Sequence, residues 1–237
     1  MRFREFFECV TIINLAERSD RRSEMEWELE RAGLSPEPGR IEFFSALKMT
    51  EAAGFTNAGY HGCFRSHLGV LQKAAASKCK NVLVFEDDAS ISDRFRQDEV
   101  SLINQIRSLD WGIVYFGHGL EDVDDRPAEL RIVPEGGAPL THFYAVNGHV
   151  LERLIDFLEK ILKRPAGHPD GGPMSPDGAL DVFLIQNPDV PCYCCSPSMA
   201  SQRSSRSDLL PKWFDKLPGL RQTAGTYRKV KRWLKQA

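Results

Sequence analysis

The stretch Asn81-Val82-Leu83-Val84-Phe85-Glu86-Asp87-Asp88 decides the fold, because four consecutive large apolar residues run directly into three carboxylates. An unbroken apolar run of this length suits a strand covered on both faces, as in a parallel sheet packed between helices. In open α/β folds ligands gather beyond the carboxyl ends of such strands, so these acids fall where a site is expected. Crowded carboxylates repel unless a cation joins them. Magnesium or manganese suits the position, since each accepts one or two protein oxygens and takes the rest from phosphate and water. The plain alternative is an acidic turn at a strand end.

Outward from this stretch the pattern alternates. Residues 10–14 read as a first strand, and Ser19 or Asp20 supplies an N-cap for a helix carrying Met25, Leu29 and Ala32 on one face, which Gly33 stops. Residues 41–45 suit a second strand. A helix over 62–76 turns Cys63, His67, Val70, Leu71 and Ala74 inward, and another over 94–108 precedes a strand at 111–116. Strand and helix in alternation predict a mostly parallel α/β sheet covered by helices. The second half is less regular: short strands at 130–133 and 141–146, a helix through about residue 162, a Pro- and Gly-rich loop over 164–178, a helical segment at 179–186 and a strand at 190–195.

With 237 residues the chain can bury a full core, read here as one domain over 1–210 followed by a basic tail over 211–237. A net charge of -2 gives no support to nucleic-acid binding. The amino end lacks the apolar core of a signal peptide, and no run approaches the roughly 18 to 20 apolar residues of a membrane span. Six cysteines lie scattered or in apolar patterns, so buried thiols in a reducing cytoplasm are expected. Cys192-Tyr193-Cys194-Cys195 lacks the second spaced pair of a zinc site. In the tail, Tyr227, Val230, Trp233 and Leu234 gather on one side of a basic helix over 226–235. Such a helix can lie on an anionic membrane at the inner face, or pack its aromatic side on its own domain.

Four separated segments, Ile13-Asn14-Leu15 with Arg18, Asp20, Arg21 and Arg22, then Gly62-Cys63 with Ser66-His67, then Phe85-Glu86-Asp87-Asp88, then Leu180-Asp181-Val182-Phe183-Leu184, together resemble glycosyltransferase family 25. The resemblance extends to Gln202 and Ser207-Asp208, similar to the family's closing motif. Its members include bacterial lipopolysaccharide sugar transferases and the domains that add galactose to collagen hydroxylysine. The resemblance implies a GT-A type, Rossmann-like fold, a nucleotide-sugar donor bound with manganese (Mn2+, or Mg2+), and inversion at the anomeric carbon.

On this reading Asp87 and Asp88 are the metal-binding acids, with Glu86 beside them facing the sheet or organising the loop. Asn14, Leu15, Arg18 and Arg22 stand at the exit of the first strand, where guanidinium groups can clamp phosphate or stack on a base. Arginines there are also ordinary solvated helix residues. Ser66 and His67 line the donor site, although a satisfied core histidine explains His67 equally well. Inversion needs a base on the acceptor side. Asp181, in an apolar context where an ionised carboxylate is costly, is the candidate; Asp177 reads as a helix cap. Asp122, Asp124 and Asp125 form a second acidic cluster, ordinarily a solvated loop.

The resulting expectation is a cytoplasmic glycosyltransferase moving a sugar such as galactose from a UDP-sugar to a glycan or lipid-linked, lipopolysaccharide-type acceptor. Its rivals are a catalytically silent nucleotide-sugar or glycan-binding protein, and a two-metal phosphohydrolase or nucleotidyltransferase, the latter disfavoured by the lack of a second well-matched acid pair.

Overall fold

Alternating apolar and helical patterns resolve, in a computed structural model that describes residues 1–120, 126–134 and 137–203, into an α/β unit spanning Met1–Gln202. In chain order its elements are α1 (Phe3–Phe6), β1 (Cys9–Asn14), α2 (Ser19–Ala32), β2 (Ile41–Ser45), α3 (Ala58–Ala76), β3 (Asn81–Glu86), β4 (Ala89–Ile91), α4 (Phe95–Ser108), β5 (Ile113–Gly117), β6 (Glu129–Ile132), β7 (Phe143–Asn147), α5 (Gly148–Lys163), α6 (Pro176–Gln186), β8 (Cys192–Ser196) and β9 (Ala200–Gln202). The basic tail, Ser207-Asp208 and the Asp122, Asp124 and Asp125 cluster lie outside the described residues.

The sheet runs in the order β2-β1-β3-β7-β5-β8-β6, with β4 and β9 paired beside it. Strands β2, β1, β3, β5 and β8 share one direction, while β7 enters antiparallel between β3 and β5 and β6 closes the far edge antiparallel to β8. The expected mostly parallel sheet is therefore present, with β7 as the main departure. Its direction follows from connectivity. A parallel neighbour requires a crossover, usually a helix, whereas the described chain between β5 and β7 contains only strand and loop, so β7 returns antiparallel. Phe143 of β7 stacks on Phe85 of β3 with ring centroids 4.1 Å apart, which fixes the register Phe85 opposite Phe143.

The period-two alternation of strand side chains divides the core into two layers. Val10, Ile12, Leu83 and Phe85 face Met25 and Leu29 of α2 and Leu102, Ile103 and Ile106 of α4. On the other face, Ile13, Val82 and Val84 meet Leu68 and Leu71 of α3, Leu154 and Leu158 of α5, and Phe183 of α6. Continuing the same alternation past Phe85 sends Glu86 toward α3 and Asp87 toward α2.

Several boundaries move. Helix α3 begins four residues before the expected 62, because the Asn57 side chain accepts the Tyr60 N–H at 3.0 Å and caps it there. Neither Ser19 nor Asp20 caps α2: Arg18 holds the N-cap position and both lie in the first turn, where Asp20 pairs with Arg18. The short elements α1, β4 and β9 carried too few residues to show a period. The cysteine expectation also needs correction, since Cys9 at the start of β1 and Cys79 before β3 are joined by a disulfide; Cys63 and Cys192 are free thiols. Among the described residues no helix is long and apolar enough to cross a membrane.

Gly62 and Ser66 tie the loop after β2 onto α3. A Cβ at Gly62 would lie 2.4 Å from the Leu47 carbonyl oxygen, so the loop backbone occupies the space a side chain would need. Ser66 Oγ accepts the Leu47 N–H at 2.8 Å and donates to the Gly62 carbonyl at 2.7 Å. Gly62→Ala is accordingly expected to lower stability by about 1 to 3 kcal/mol through overpacking, where the same change in an open helix raises it by up to about 1 kcal/mol. The midpoint of urea unfolding checks the sign, and an unchanged or higher midpoint would contradict the packing described.

Candidate functional site

Three carboxylates leave β3 into different surroundings. Asp87, on the α2 side, accepts from Asn14 Nδ2 at 2.8 Å through Oδ2 and from Arg21 Nη1 at 2.7 Å through Oδ1. Asn14 stands at the end of β1, where its amide also reaches the Arg18 carbonyl at 3.3 Å and so holds the turn into α2. Burial pushes the Asp87 carboxyl above its ordinary range, against the opposing pull of Arg21, Asn14 and Arg18. Asp88 lies 3.5 Å from Arg21 Nη1 and 3.5 Å from Gln202 Nε2, the amide brought in by the β4–β9 pair. Asp87 and Asp88 are both buried.

Glu86 turns to the opposite face. Its Oε1 lies 3.4 Å from His67 Nε2 and accepts the Thr141 hydroxyl at 3.1 Å, while Tyr144 Oη stands 3.0 Å from His67 Nδ1. Burial raises the Glu86 pKa, but the contact and charge of His67, aided by His142 and Thr141, outweigh it and leave the acid below its usual value. Cys63, one helical turn before His67, is raised well above an ordinary thiol, first by burial and then by the charges of Glu86, Asp88, Asp177 and Asp87. Acidic side chains thus gather on both faces of the strand exit, with Arg21 on the Asp87 side and His67 on the Glu86 side.

The other expected residues divide. Leu15 accepts the Arg18 N–H in the turn after β1 and is half-buried. Arg18 is held against Asp20 by two hydrogen bonds of 2.9 Å. Arg22 points away from the acids, lying 4.1 Å over the Phe43 ring and pairing with Glu26. Its neighbour Arg21 is the arginine that reaches the carboxylates. The sequence offered a signal for this: Arg21 and Arg22 are adjacent on the helix and point about 100° apart, so only one of that pair can face the strand exit. Ser66 is occupied with the Leu47 loop, so it shapes the wall and does not present its hydroxyl to the site. Gln202, Cys63, Thr141 and Tyr144 join the strand-exit region from elements distant in sequence.

Asp177 and Asp181 come one turn apart from α6. Asp177 Oδ2 lies 3.4 Å from the Leu140 N–H, and its charge acts on Cys63. Asp181 sits against the backbone before β7: the Ala138 N–H acts to lower its pKa, and a Cβ at Gly137 would fall 2.0 Å from Asp181 Oδ1. Gly137 also has φ +86°, so a side chain there is excluded twice over. Asp181 Oδ1 is buried with no hydrogen-bond partner among the described residues. Desolvation, with the Asp177 charge adding to it against the Ala138 N–H, raises the Asp181 carboxyl to about 6. Asp181 also acts on Tyr115 and Cys192, whereas Asp177 is the α6 acid nearer in effect to the Cys63 corner.

With this geometry, comparison with known proteins is informative. Residues 55–121, which contain α3, β3 and all three carboxylates, match the family model described as glycosyltransferase family 25 (LPS biosynthesis protein). A "Glycosyltransferase 25 family member" of Drosophila pseudoobscura pseudoobscura is 29% identical over 76% of this chain and 30% of its own length. An "Inactive glycosyltransferase 25 family member 3" of Mus musculus is 32% identical over 47% of this chain and 22% of its own. The chain therefore spans less than a third of the length of these curated relatives. Among solved structures, a glycosyltransferase involved in glycosylating the major capsid of PBCV-1 aligns with a TM-score of 0.48 at 14% identity, covering 80% of this chain and 82% of that one.

The different settings of Arg21 and Arg22 are separable by mutation. Arg21→Gln leaves two buried carboxylates without their guanidinium and should cost about 3 kcal/mol, the scale of breaking a buried ion pair. Arg22→Gln, on a half-exposed side chain, should change stability by about 1 kcal/mol or less. Paired denaturant titrations test this, and equal effects would contradict the assignment of Arg21 to the acids.

Proposed function

We propose that this chain, which belongs to glycosyltransferase family 25, is a metal-dependent inverting transferase that moves a sugar, galactose in the first instance, from a UDP-sugar to a hydroxyl of a glycan or lipopolysaccharide-type acceptor. The observation that carries this reading is the convergence on Asp87 and Asp88, at the carboxyl end of β3, of Asn14 from β1, Arg21 from α2 and Gln202 from β9. Four elements meet there with an excess of negative charge, which is costly for a fold to maintain without a ligand to use it.

The donor set fits a hard divalent cation: all-oxygen, anionic beyond what Arg21 neutralises, and at a strand exit. On this reading Asp87 and Asp88, which share the contact with Arg21, would together hold the ion. When bound, such an ion supplies Lewis-acid stabilisation to the departing diphosphate. Arg21 contributes fixed positive charge at the same place, and Asn14 holds Asp87 in orientation. On the acceptor side, Asp181, whose Oδ1 has no hydrogen-bond partner among the described residues, takes the hydroxyl proton. A cytoplasmic setting and a lipid-linked acceptor belong to the same reading. The names of several relatives favour a second one, a donor-binding protein without turnover.

Incubating the purified chain with a panel of nucleotide sugars, with and without manganese, separates these. Release of nucleoside diphosphate from one donor supports the transferase; binding without release supports the silent protein; neither sinks both. Asp88→Asn is expected to abolish the manganese dependence of donor binding in calorimetry. Asp181→Asn should retain donor binding and lose transfer by about 10²- to 10⁴-fold, the range for a missing general base. If Asp177→Asn alone produces that loss, the base is the other α6 acid.

The pH dependence follows from the raised Asp181. Because catalysis needs its ionised form, kcat/KM should climb toward a plateau as pH rises through about 6. The sign for folding is opposite: the native state holds this proton more tightly than the unfolded chain, so the stability contribution is lost as pH rises from the ordinary aspartate range to about 6. A flat kcat/KM profile between pH 5 and 7, on the order of the range that brackets this value, would remove Asp181 from the role.

A further inference from the structure

We infer that Cys63, His67 and Glu86 form a second cation site, on the α3 side of β3, that takes a borderline-soft divalent ion of the zinc class. The inference does not depend on the transferase reading. Cys63 and His67 stand four residues apart on α3 and so project side by side, and the strand alternation turns Glu86 toward them and away from Asp87. The Cys63 Sγ, a ring nitrogen of His67 and a Glu86 carboxylate oxygen lie within 4.8 Å of one another.

His67 supplies the observation that points to a ligand. Its side chain is only 3% exposed, Nδ1 is held at 3.0 Å by the Tyr144 hydroxyl, and Nε2 aims into the cluster with no hydrogen-bond partner among the described residues, 3.4 Å from Glu86 Oε1. Metal-binding imidazoles are oriented in this way, one nitrogen fixed by an outer partner and the other presented. The Thr141 hydroxyl donates to Glu86 Oε1, the oxygen beside His67 Nε2, and so fixes the carboxylate in the cluster.

The ligand types select the ion. Thiolate, imidazole and carboxylate together suit zinc, whose three-ligand sites keep a fourth position open, whereas manganese and magnesium prefer oxygen alone. Tetrahedral zinc separates its ligand atoms by about 3.3 to 3.8 Å; His67 Nε2 and Glu86 Oε1, 3.4 Å apart, already match this, and the Cys63 sulfur, within 4.8 Å of both ligand atoms, is brought in by side-chain rotation. The surrounding carboxylates of Glu86, Asp88 and Asp177 all act on Cys63, a field that draws a cation. Cys63 and Glu86 are partly exposed, which gives an ion access. On binding, the S–H bond breaks heterolytically, the proton goes to solvent and the sulfur–metal bond forms; nothing is oxidised or reduced.

Cobalt(II) reports such a site directly. The whole chain, stripped with a chelator and kept reduced, is titrated with cobalt and then with zinc. The expected result is a thiolate-to-cobalt charge-transfer band that saturates at one equivalent, is displaced by zinc, and is absent in Cys63→Ser. It should survive in Asp88→Asn, and Tyr144→Phe should weaken zinc affinity by about 10- to 100-fold, the usual effect of losing an outer partner. Zinc should also raise the unfolding temperature of the parent and leave that of Cys63→Ser unmoved, a readout that a folding defect alone does not reproduce. The absence of the band in the parent overturns the site, as does its persistence in Cys63→Ser, which would assign the metal to another cysteine. Loss of the band in Asp88→Asn overturns its separateness from the Asp87–Asp88 pair.

Discussion

The alternation of side chains along β3 governs everything at its carboxyl end. A strand cannot send neighbouring residues to the same face, so Glu86 and Asp87 enter different layers of the molecule and acquire different partners. Asp87 becomes part of a polar junction with β1 and α2, and Glu86 part of one with α3 and β7. The apolar residues before them determine this outcome: Phe85 must face α2 and α4 and Val84 must face α3 and α5, and a slip of one residue would exchange both acids along with the core.

Much of the architecture was legible for the same reason. The unbroken apolar run in β3 and the helical period of α3 are strong local signals, and both elements formed where the pattern put them, α3 with an extra turn supplied by Asn57. What could not be read locally was pairing. Nothing in Phe143–Asn147 announces that it runs antiparallel between β3 and β5, because its apolar composition serves either direction. Three-residue strands such as β4 and β9 exist only through each other, and it is their pairing that delivers Gln202 to Asp88. Cys9 and Cys79, 70 residues apart, meet through tertiary geometry that spacing does not encode.

For the candidate site, residue type was easier to read than residue role. The three carboxylates were evident, yet the choice between the adjacent Arg21 and Arg22 depends on how α2 is rotated against the sheet, which only the packing of Met25 and Leu29 settles. Ser66 illustrates a different difficulty: a buried hydroxyl in a family-like segment supports the loop at Leu47, a structural role that the same sequence would announce equally well for ligand contact. Asp181 carries both kinds of signal at once. It packs against the backbone at Gly137 and remains partly unsatisfied, and the burial keeps its proton affinity high.

The antiparallel insertion of β7 has a further effect on how this fold can vary. Because β5 and β7 run in opposite directions, the chain leaves the sheet at Gly117 and comes back at Phe143 on the same rim, the one that carries the acids. The excursion between them is anchored at its outer end by β6 on the far edge of the sheet, while its last residues, Thr141 among them, return to touch Glu86. Insertions in the loop parts of that excursion, away from Ala128 and Ala138, which enter the two core layers, would cost little closure entropy and leave those layers intact. A lineage can thus remodel the entrance beside the strand exit, and with it the range of molecules admitted, while the scaffold beneath stays unchanged.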